Sequence, residues 1–267
     1  MFTVKNIVQP ESLDEAYQIL CEKRNNTILG GCAFLKMGSK RIGTALDLSG
    51  LGLNYIKEHD DFVEIGAMTS LREVETNSLL GQSFNGVLPK AVRTIIGVQF
   101  RNGVTVGASV FSRYSFSDLI TALLALDTEV ELYKNGRMPL EDFLSKPCEK
   151  DILVRIWIKK NERQADYQGF RNSASDYSIL NVAVSTLDDC WTIVVGARPR
   201  RAAIAKSASV TLSTESVTDT MIETAAQKAA EELSFGTNMR GTAEYRQALC
   251  KVLVKRGIKE VLQCKSK

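Results

Sequence analysis

The spacing of apolar residues at the start of the chain predicts alternating strands and helices. Ser12–Glu15 forms a capping box that opens an amphipathic helix, because a hydroxyl and a carboxylate three residues apart satisfy the first backbone N–H groups. Thr27–Leu29 is predicted as a short strand that stops at Gly30-Gly31, and Thr44–Leu48 as the next strand. Residues 1–48 therefore predict a βαβ outline.

The middle of the chain predicts a larger α+β region from about residue 50 to 160. Phe62–Ile65 and Ile152–Ile158 alternate apolar and polar positions, which is typical of half-buried strands. Ser70–Glu73 is a second capping box. Glu129–Tyr133 is predicted as a strand that enters a hairpin turn at Asn135-Gly136.

The segment Val92–Asp118 lies between two apolar helical runs, Gly86–Ile96 and Asp118–Leu126, and shows neither helical nor strand periodicity. It contains three glycines, which permit positive φ and let a ligand approach the backbone. We predict a long ordered binding loop that ends at Ser117-Asp118, where a helix begins. Free N–H groups there suit an anion, and the carboxylate suits a hydroxyl or amide donor.

Both glycine-containing segments have a functional and a structural interpretation. The segment at Val92–Asp118 indicates a polyphosphate-bearing ligand, or else its glycines only form turns. Gly30-Gly31, placed directly after a strand, forms either a nest of N–H groups for phosphate or a tight turn. Residue types alone leave both alternatives open.

The last hundred residues predict a separate C-terminal domain. Asp188-Asp189 is a turn signal between two apolar runs. The predicted elements are an antiparallel meander of three strands and two closing helices: Tyr167–Phe170, Ile179–Ser185, Trp191–Val195, Thr218–Leu233 and Thr242–Leu262.

Composition excludes several classes of protein. The 267 residues carry a net charge of +3 with acids and bases interspersed, which is not the clustered basic face of a nucleic-acid-binding protein. His59 is the only histidine, so a Ser-His-Asp triad or a histidine-rich metal site is not expected. The six cysteines show no metal-ligand spacing and fit reduced thiols. No signal peptide or membrane span is predicted, and we expect a cytoplasmic protein.

The residue order around the second glycine segment resembles one family. Gln99–Ser109, QFRNGVTVGAS, followed by Ser117-Asp118, resembles the signature Q-[IV]-R-N-x-G-T-[IL]-G-G-N with a later Ser/Thr-Asp pair. That signature belongs to the FAD-binding subunits of molybdenum hydroxylases, such as xanthine dehydrogenases and carbon monoxide dehydrogenase. Four further segments resemble family motifs in the same order, so the resemblance covers nearly the whole chain: Leu29–Leu35, Leu46–Leu51, Ile65–Leu71 and Met239–Arg246.

The resemblance implies a fold and a division into domains. The fold class is α+β, with a two-part PCMH-type FAD-binding region followed by a C-terminal antiparallel sheet with helices. The small βαβ subdomain spans residues 1–50 and the larger α+β subdomain residues 51–160. Residues 161–267 form a C-terminal domain of the carbon monoxide dehydrogenase flavoprotein type.

The resemblance also implies which residues contact FAD, whereas no catalytic residue and no metal ligand are implied. The first loop contributes Ile28, Leu29, Gly30, Gly31, Cys32, Ala33 and Phe34, and the second Ile95, Thr105, Val106, Gly107, Ala108 and Ser109. The remaining three are Asp118, Leu153 and Arg171. Four of these depart from the family pattern, which puts the affinity for FAD in question: Cys32, Ala33, Ala108 and Ser109.

The implied function is electron transfer through noncovalent FAD, the group that carries the redox chemistry. Iron–sulfur clusters and molybdopterin are expected in partner subunits, and NAD or another soluble compound is the expected acceptor. Ser145–Cys148 resembles the flavin subunits of bacterial purine hydroxylases, which favours a xanthine dehydrogenase-like complex. Two alternatives remain open: an assembly subunit that binds FAD weakly or not at all, and a free-standing flavoenzyme.

Overall fold

A computed structural model describes residues 1–147, 149–213 and 216–265, so Cys148 of the purine-hydroxylase-like segment lies outside the described residues. The chain forms two compact units, each built from three separate segments. Unit 1 comprises Met1–Glu73, Val98–Ser112 and Thr128–Lys159. Unit 2 comprises Val74–Gly97, Arg113–Asp127 and Lys160–Lys267.

The helices and strands are numbered in chain order. The strands are β1 (Thr3–Val8), β2 (Thr27–Ile28), β3 (Arg41–Leu46), β4 (Ile56–Glu58), β5 (Phe62–Gly66), β6 (Thr128–Leu132), β7 (Gly136–Pro139), β8 (Leu153–Lys159), β9 (Gln164–Phe170), β10 (Leu180–Leu187), β11 (Cys190–Gly196) and β12 (Ala203–Ile204). The helices are α1 (Leu13–Glu22), α2 (Ala33–Met37), α3 (Leu71–Thr76), α4 (Ser78–Gln82), α5 (Val87–Val92), α6 (Val98–Gly103), α7 (Val106–Phe111), α8 (Asp118–Leu124), α9 (Leu140–Ser145), α10 (Lys206–Thr211), α11 (Asp219–Glu232) and α12 (Ala243–Lys265).

Unit 1 begins with a three-stranded parallel sheet in the order β1-β3-β2. The predicted serine cap of the first helix is confirmed, because Ser12 Oγ accepts from Glu15 N at 3.2 Å, while Glu15 Oε2 accepts at 2.7 Å from Glu11 N, one residue before the cap. β3 begins three residues before the predicted Thr44, since Gly43 within the strand interrupts the apolar pattern. Edge strand β1 has no buried residue, which explains why no apolar alternation indicated it.

Unit 1 also contains a five-stranded antiparallel sheet in the order β4-β5-β8-β6-β7. The predicted alternation is confirmed along β8 and the residue before it, because Ile152, Val154, Ile156 and Ile158 are buried while Arg155 and Trp157 between them are only half-buried. The hairpin turn is confirmed as well, with φ +68° at Gly136. The second capping box is present, since Ser70 Oγ accepts from Glu73 N at 3.1 Å.

The expectation of a loop without helices between Val92 and Asp118 is wrong. Two short helices, α6 and α7, lie within it. The side chain of Thr105 caps α7 by accepting from Ala108 N at 3.2 Å. Gly107 is tolerated inside α7 because the helix packs closely on Ala67, where a Cβ at position 107 would lie 2.8 Å from both Cβ and O of Ala67. Gly107 therefore serves the packing of a helix, which is neither of the two uses that the sequence predicts for this glycine.

Unit 2 is built on a four-stranded antiparallel sheet in the order β12-β11-β10-β9, which confirms the predicted meander. Asp188 and Asp189 form its turn at positive φ. Helix α10 packs on β11 and helix α12 on β9 and β10, whereas α11 packs on α10 and α12. The core that they share consists of small and branched side chains, including Ala225, Ala229 and Val254. Both closing helices are confirmed.

A polar cluster centres on Glu64 of β5, within unit 1. Its Oε1 accepts from Tyr55 Oη at 2.5 Å and from Arg155 Nη1 at 2.7 Å, and its Oε2 lies 2.7 Å from His59 Nε2. Burial opposes ionisation of Glu64, but these hydrogen bonds outweigh it and lower the pKa of the carboxyl below its ordinary value. Burial, followed by the hydrogen bond to Glu64, raises the pKa of Tyr55 to about 12.

Candidate functional site

A cavity of about 340 Å³ opens in unit 1 beside both glycine segments. Its volume falls in the range of roughly 300–1,000 Å³ that is typical of small-molecule and cofactor sites. Seven of the predicted site residues line it: Ile28, Leu29, Gly30, Thr105, Gly107, Ala108 and Leu153. Sequence patterns had not indicated Asn26, Lys40, Met68, Phe111, Lys150 or Asp151, which also line it.

The first glycine loop presents a row of backbone donors. Among the described residues, no acceptor receives a hydrogen bond from the backbone N–H of Gly30, Gly31, Cys32 or Ala33. Gly31 has φ +89° and Cys32 φ +56°, so two successive residues adopt left-handed conformations. Cys32 is followed by Ala33, the first residue of helix α2, and successive N–H groups in such a turn from left-handed to right-handed backbone form an anion-binding concavity. The loop thus retains the donors that a phosphate group requires.

Close packing against the second segment fixes the position of this loop. A Cβ at Gly31 would lie 2.2 Å from Gly103 O, and a Cβ at Gly30 would lie 2.3 Å from Ala108 Cβ. The methyl group of Ala108, where the family signature has glycine, therefore packs on Gly30 of the first loop. Both positions require glycine because no larger residue fits between the two segments.

The backbone N–H groups of the second glycine segment, from Val106 to Ser109, donate hydrogen bonds to acceptors within the protein. Val106 N donates to Thr69 O and Gly107 N to Ala67 O, both at 2.8 Å. Ala108 N and Ser109 N donate to the hydroxyl and the carbonyl of Thr105, respectively. The four N–H groups that could cradle phosphate in the described structure thus come from the first loop.

The charged side chains that line the cavity differ in how far protein groups satisfy their hydrogen bonds and charges. Lys150 Nζ donates to Leu20 O at 2.7 Å and to Lys23 O at 2.5 Å. Asp151 is buried and accepts four hydrogen bonds, one of them from Asn135 Nδ2 at 2.8 Å. Lys40 forms no ion pair with any described residue, so its ammonium group can offset the charge of an anionic ligand.

Asp118 belongs to unit 2 and is almost fully buried there. Its Oδ1 accepts from Ser178 Oγ and from Asn181 Nδ2, each at 2.7 Å, and also from Tyr167 Oη. Its Oδ2 accepts from Arg171 Nη2 at 2.7 Å. Burial, followed by the charge of Asp118, raises the pKa of Tyr167 well above its ordinary range and keeps the phenol protonated as a donor.

Ser117, and not Asp118, caps the helix that begins at this pair. Ser117 Oγ accepts from Ile120 N at 3.2 Å, so the serine caps α8 while the aspartate turns into the core of its unit. Of the other predicted site residues, Ile95 and Arg171 also belong to unit 2. Gly31, Cys32, Ala33, Phe34, Val106 and Ser109 belong to unit 1 but do not line the cavity.

Comparison with protein families identifies the chain. The model of the FAD-binding domain in molybdopterin dehydrogenases matches residues 2–158, and that of the carbon monoxide dehydrogenase flavoprotein C-terminal domain matches residues 165–261. The chain belongs to this flavoprotein family. Membership confirms the family that the sequence resembles, the α+β fold and FAD as the cofactor of the matched domain.

Relatives of the flavoprotein family match along most of their length. The chain is 26% identical to the nicotine 6-hydroxylase medium subunit of Paenarthrobacter nicotinovorans, over 94% of this chain and 95% of the relative. It is also 26% identical to the glyceraldehyde dehydrogenase medium chain of Sulfolobus acidocaldarius, over 95% and 97%. Within the flavoprotein family the chain therefore corresponds to a medium subunit.

Solved structures show the same flavoprotein fold. Carbon monoxide dehydrogenase from Hydrogenophaga pseudoflava superposes with a TM-score of 0.89 at 21% identity, covering 97% of each chain. Quinoline 2-oxidoreductase from Pseudomonas putida 86 gives a TM-score of 0.88 at 20% identity, covering 98% of this chain and 97% of the other. No helix among the described residues is long and apolar enough to span a membrane.

Proposed function

We propose that this medium subunit binds FAD noncovalently and transfers electrons between partner subunits and a soluble acceptor such as NAD. The observation that carries the proposal is the row of four uncommitted N–H groups at Gly30–Ala33, next to a cavity of cofactor size. Those donors fit a diphosphate, and Lys40 supplies a compensating charge. When bound, FAD would supply the redox chemistry, and this chain would position it.

The assignment of cofactors to the different subunits is inferred from the metal-ligating side chains of this chain. Among the described residues, no group of three or more His, Cys, Asp or Glu side chains could hold a metal ion. We therefore assign the iron–sulfur clusters and molybdopterin of the complex to partner chains. The relatives' names support an assembly, since one is a medium subunit and another is subunit alpha of the 6-hydroxypseudooxynicotine dehydrogenase complex. The xanthine dehydrogenase-like specificity and the three-domain division remain part of the proposal.

A second candidate is an assembly subunit with weak or absent FAD binding. The observation that favours it is the internal use of all four N–H groups from Val106 to Ser109, which leaves the second segment without backbone donors for phosphate. Cys32 and Ala33 stand where the family pattern has a polar pair, so the first loop also lacks those polar side chains.

The visible spectrum of the purified chain separates the two candidates. FAD binding predicts a flavin spectrum whose colour passes into the supernatant after acid precipitation, whereas colour in the pellet would indicate covalent attachment. Gly31→Ala should abolish the colour, because the new methyl group would meet Gly103 O at 2.2 Å and disturb the donor row. A colourless wild-type chain that takes up no added FAD supports the assembly subunit.

Gly136→Ala is the matched control. Gly136 also has positive φ, at +68°, but its hairpin turn does not line the cavity, and a Cβ added there would meet nothing within 4 Å. The control should therefore lose about 1–2 kcal/mol of stability from backbone strain and retain the flavin. Equal flavin content in the two variants would exclude the first loop from the site.

A further inference from the structure

Arg198 is a buried cation of unit 2 without an anionic partner among the described residues. It is only 8% exposed, and its guanidinium donates from Nε to Arg201 O at 3.1 Å and from Nη1 to Ser234 O at 2.7 Å and Ser234 Oγ at 3.3 Å. All of these acceptors are uncharged, and no described carboxylate forms an ion pair with Arg198. Burial, followed by the charge of Arg200, therefore lowers the pKa of Arg198 below its ordinary value.

Part of this guanidinium remains open to a ligand. A guanidinium has five N–H donors, and the bonds from Nε and Nη1 use three of them. Nη2 carries the other two and has no acceptor among the described residues. The unpaired Nε atoms of Arg163 and Arg171 are fully covered, whereas Nη2 of Arg198 is not, so an acceptor can reach it from outside the chain.

Two other buried arginines of unit 2 show how such a charge is otherwise accommodated. Arg163 has a carboxylate partner, because its Nη2 donates to both oxygens of Asp127. Arg246 is only 1% exposed and has no described carboxylate partner, but its Nε, Nη1 and Nη2 all donate to carbonyl or amide oxygens. Arg198 has neither a counter-ion nor a full set of acceptors in the part of the chain that the structure describes. A buried cation in that condition is stabilised by an external anion.

A second arginine adds positive charge at the same place. Arg200 is exposed, lies close enough to Arg198 for their charges to repel, and forms no ion pair with a described residue. Its backbone N–H also has no acceptor among the described residues. Cys250 lies near Arg198 but does not offset its charge, because burial raises the pKa of the thiol to about 12 and keeps it protonated. Arg198 and Arg200 therefore bring together two positive charges that no described carboxylate offsets.

The segment Ser234–Gly236 fixes the position of Arg198. The side chain of Arg198 donates to Ser234, and its own carbonyl accepts from Gly236 N at 3.0 Å. Arg246 Nη1 donates to Gly236 O at 2.6 Å and so fixes the same segment from within the unit. Nη2 of Arg198 is thus held in place before a ligand arrives, which lowers the entropic cost of binding.

We propose that Arg198 and Arg200 form a binding site for a phosphate dianion, with Nη2 of Arg198 and the guanidinium of Arg200 as donors to its oxygens. Two guanidinium groups match the charge of a phosphate group, which is about −1.5 to −2 at pH 7. The planar N–H donors of arginine also match the geometry of phosphate oxygens. Inorganic phosphate and the terminal phosphate of a nucleotide share this chemistry. The site lies within unit 2 and goes beyond the proposed function, because it does not require FAD.

The test is thermal melting of the full chain in inorganic phosphate, with sodium chloride added to keep the ionic strength constant. Phosphate at about five times its Kd should raise the melting temperature by about 2–4 °C, because a ligand that binds only the folded chain stabilises it. Arg200→Ala should lower the affinity for phosphate by about tenfold or more, as expected for loss of a charge-assisted hydrogen bond. Arg256→Ala, the matched control, removes the same charge from an exposed position on α12 without a described ion pair, and its affinity should remain within about twofold of wild type.

Arg198→Lys tests the buried donor, since lysine keeps the charge but not the planar fork. It should also bind phosphate about tenfold more weakly than wild type. If Arg198→Lys does not fold, Arg200→Ala decides, because its side chain is exposed. The inference is overturned if phosphate does not stabilise the wild-type chain, or if it stabilises Arg200→Ala as much as wild type.

The donor row at Gly30–Ala33 could also bind phosphate, so its contribution is measured separately. Gly31→Ala and the FAD-saturated wild-type chain should both retain the shift that phosphate causes. A shift that is lost in Gly31→Ala but retained in Arg200→Ala would place the phosphate at the first loop, which overturns the inference and supports the proposed function. A chain that loses its phosphate response in Arg200→Ala but never binds FAD supports the inference and contradicts the proposed function.

ADP separates the two sources of the phosphate group. The titrations are made in the Gly31→Ala background, with and without Arg200→Ala. If Arg200→Ala weakens ADP binding more than it weakens inorganic phosphate binding, the site takes a nucleotide. If it weakens only the binding of inorganic phosphate, the site takes the free ion, and both results support the proposal.

Discussion

At the scale of single residues, buried carboxylates in this protein are stabilised by converging donors. Glu64 has Tyr55, Arg155 and His59 as partners within one antiparallel sheet and its adjoining loops. Asp118 has partners that are 49 to 63 residues away in the sequence. Such charges tolerate burial only because every partner is in place.

The Glu64 cluster predicts a loss of stability in acid. Its pKa is lowered in the folded protein, so its contribution is complete above the unfolded value of about 4.3 and disappears as the pH falls through the folded value. The difference in unfolding free energy between wild type and Glu64→Gln, measured by urea denaturation, should therefore shrink below about pH 4.3. A difference that is independent of pH between 6 and 3 would show that the charge of Glu64 contributes nothing.

Residue patterns predicted the donors of the first loop but not the surroundings of Asp118. Gly30-Gly31 directly after a strand is a local signal, because the chain geometry at two successive glycines determines where N–H groups point. The partners Tyr167, Ser178 and Asn181 come from β9, β10 and the loop between them, and only folding brings them to Asp118. The sequence therefore indicated Asp118 as an acceptor, but not the four donors that the fold brings to it.

At the scale of elements, the two glycine segments form a matched contact. A side chain at Gly30 would collide with Ala108, while Thr105 Oγ1 would lie at 3.0 Å. Gly30→Ala should therefore reduce both the melting temperature and the retention of flavin. Removing the opposing methyl group with Ala108→Gly should restore part of both in the double variant, despite a cost of about 1 kcal/mol for glycine within α7.

Thermal melting and flavin content of the single and double variants test this contact. A double variant that is no better than Gly30→Ala would show that the methyl of Ala108 is not the obstacle. The same contact explains the missed helices. Glycine at position 107 allows close approach of α7 to Ala67, and sequence composition does not distinguish that use from a turn.

At the scale of the whole molecule, the chain should function only in a complex. FAD accepts and donates electrons, and this chain has no described group of ligands for a metal that could supply them. The isolated chain, reconstituted with FAD, should show little hydroxylase activity toward purines or aldehydes, yet should slowly transfer electrons from NADH to an artificial dye. Purification from the native source should recover partner chains that contain molybdenum and iron–sulfur clusters.

The matched control is the same chain without FAD, which should lack the dye activity. Robust hydroxylation by the lone chain in the absence of metal would contradict the proposed subunit role and favour a free-standing flavoenzyme. Absence of molybdenum from the co-purified material would contradict the predicted partners.

The chain passes between its two units five times, since the segments of unit 1 and unit 2 alternate along the sequence. This threading has a consequence for synthesis on the ribosome, where residues emerge in order. The cavity is lined from Leu20 to Leu153, so its walls cannot be complete until the strand that begins at Leu153 has emerged. By then Asp118 has been made, but its partners Tyr167, Ser178 and Asn181 have not. A nascent chain stalled between these points would contain every residue that lines the cavity, but it would lack the three residues that donate to Oδ1 of Asp118.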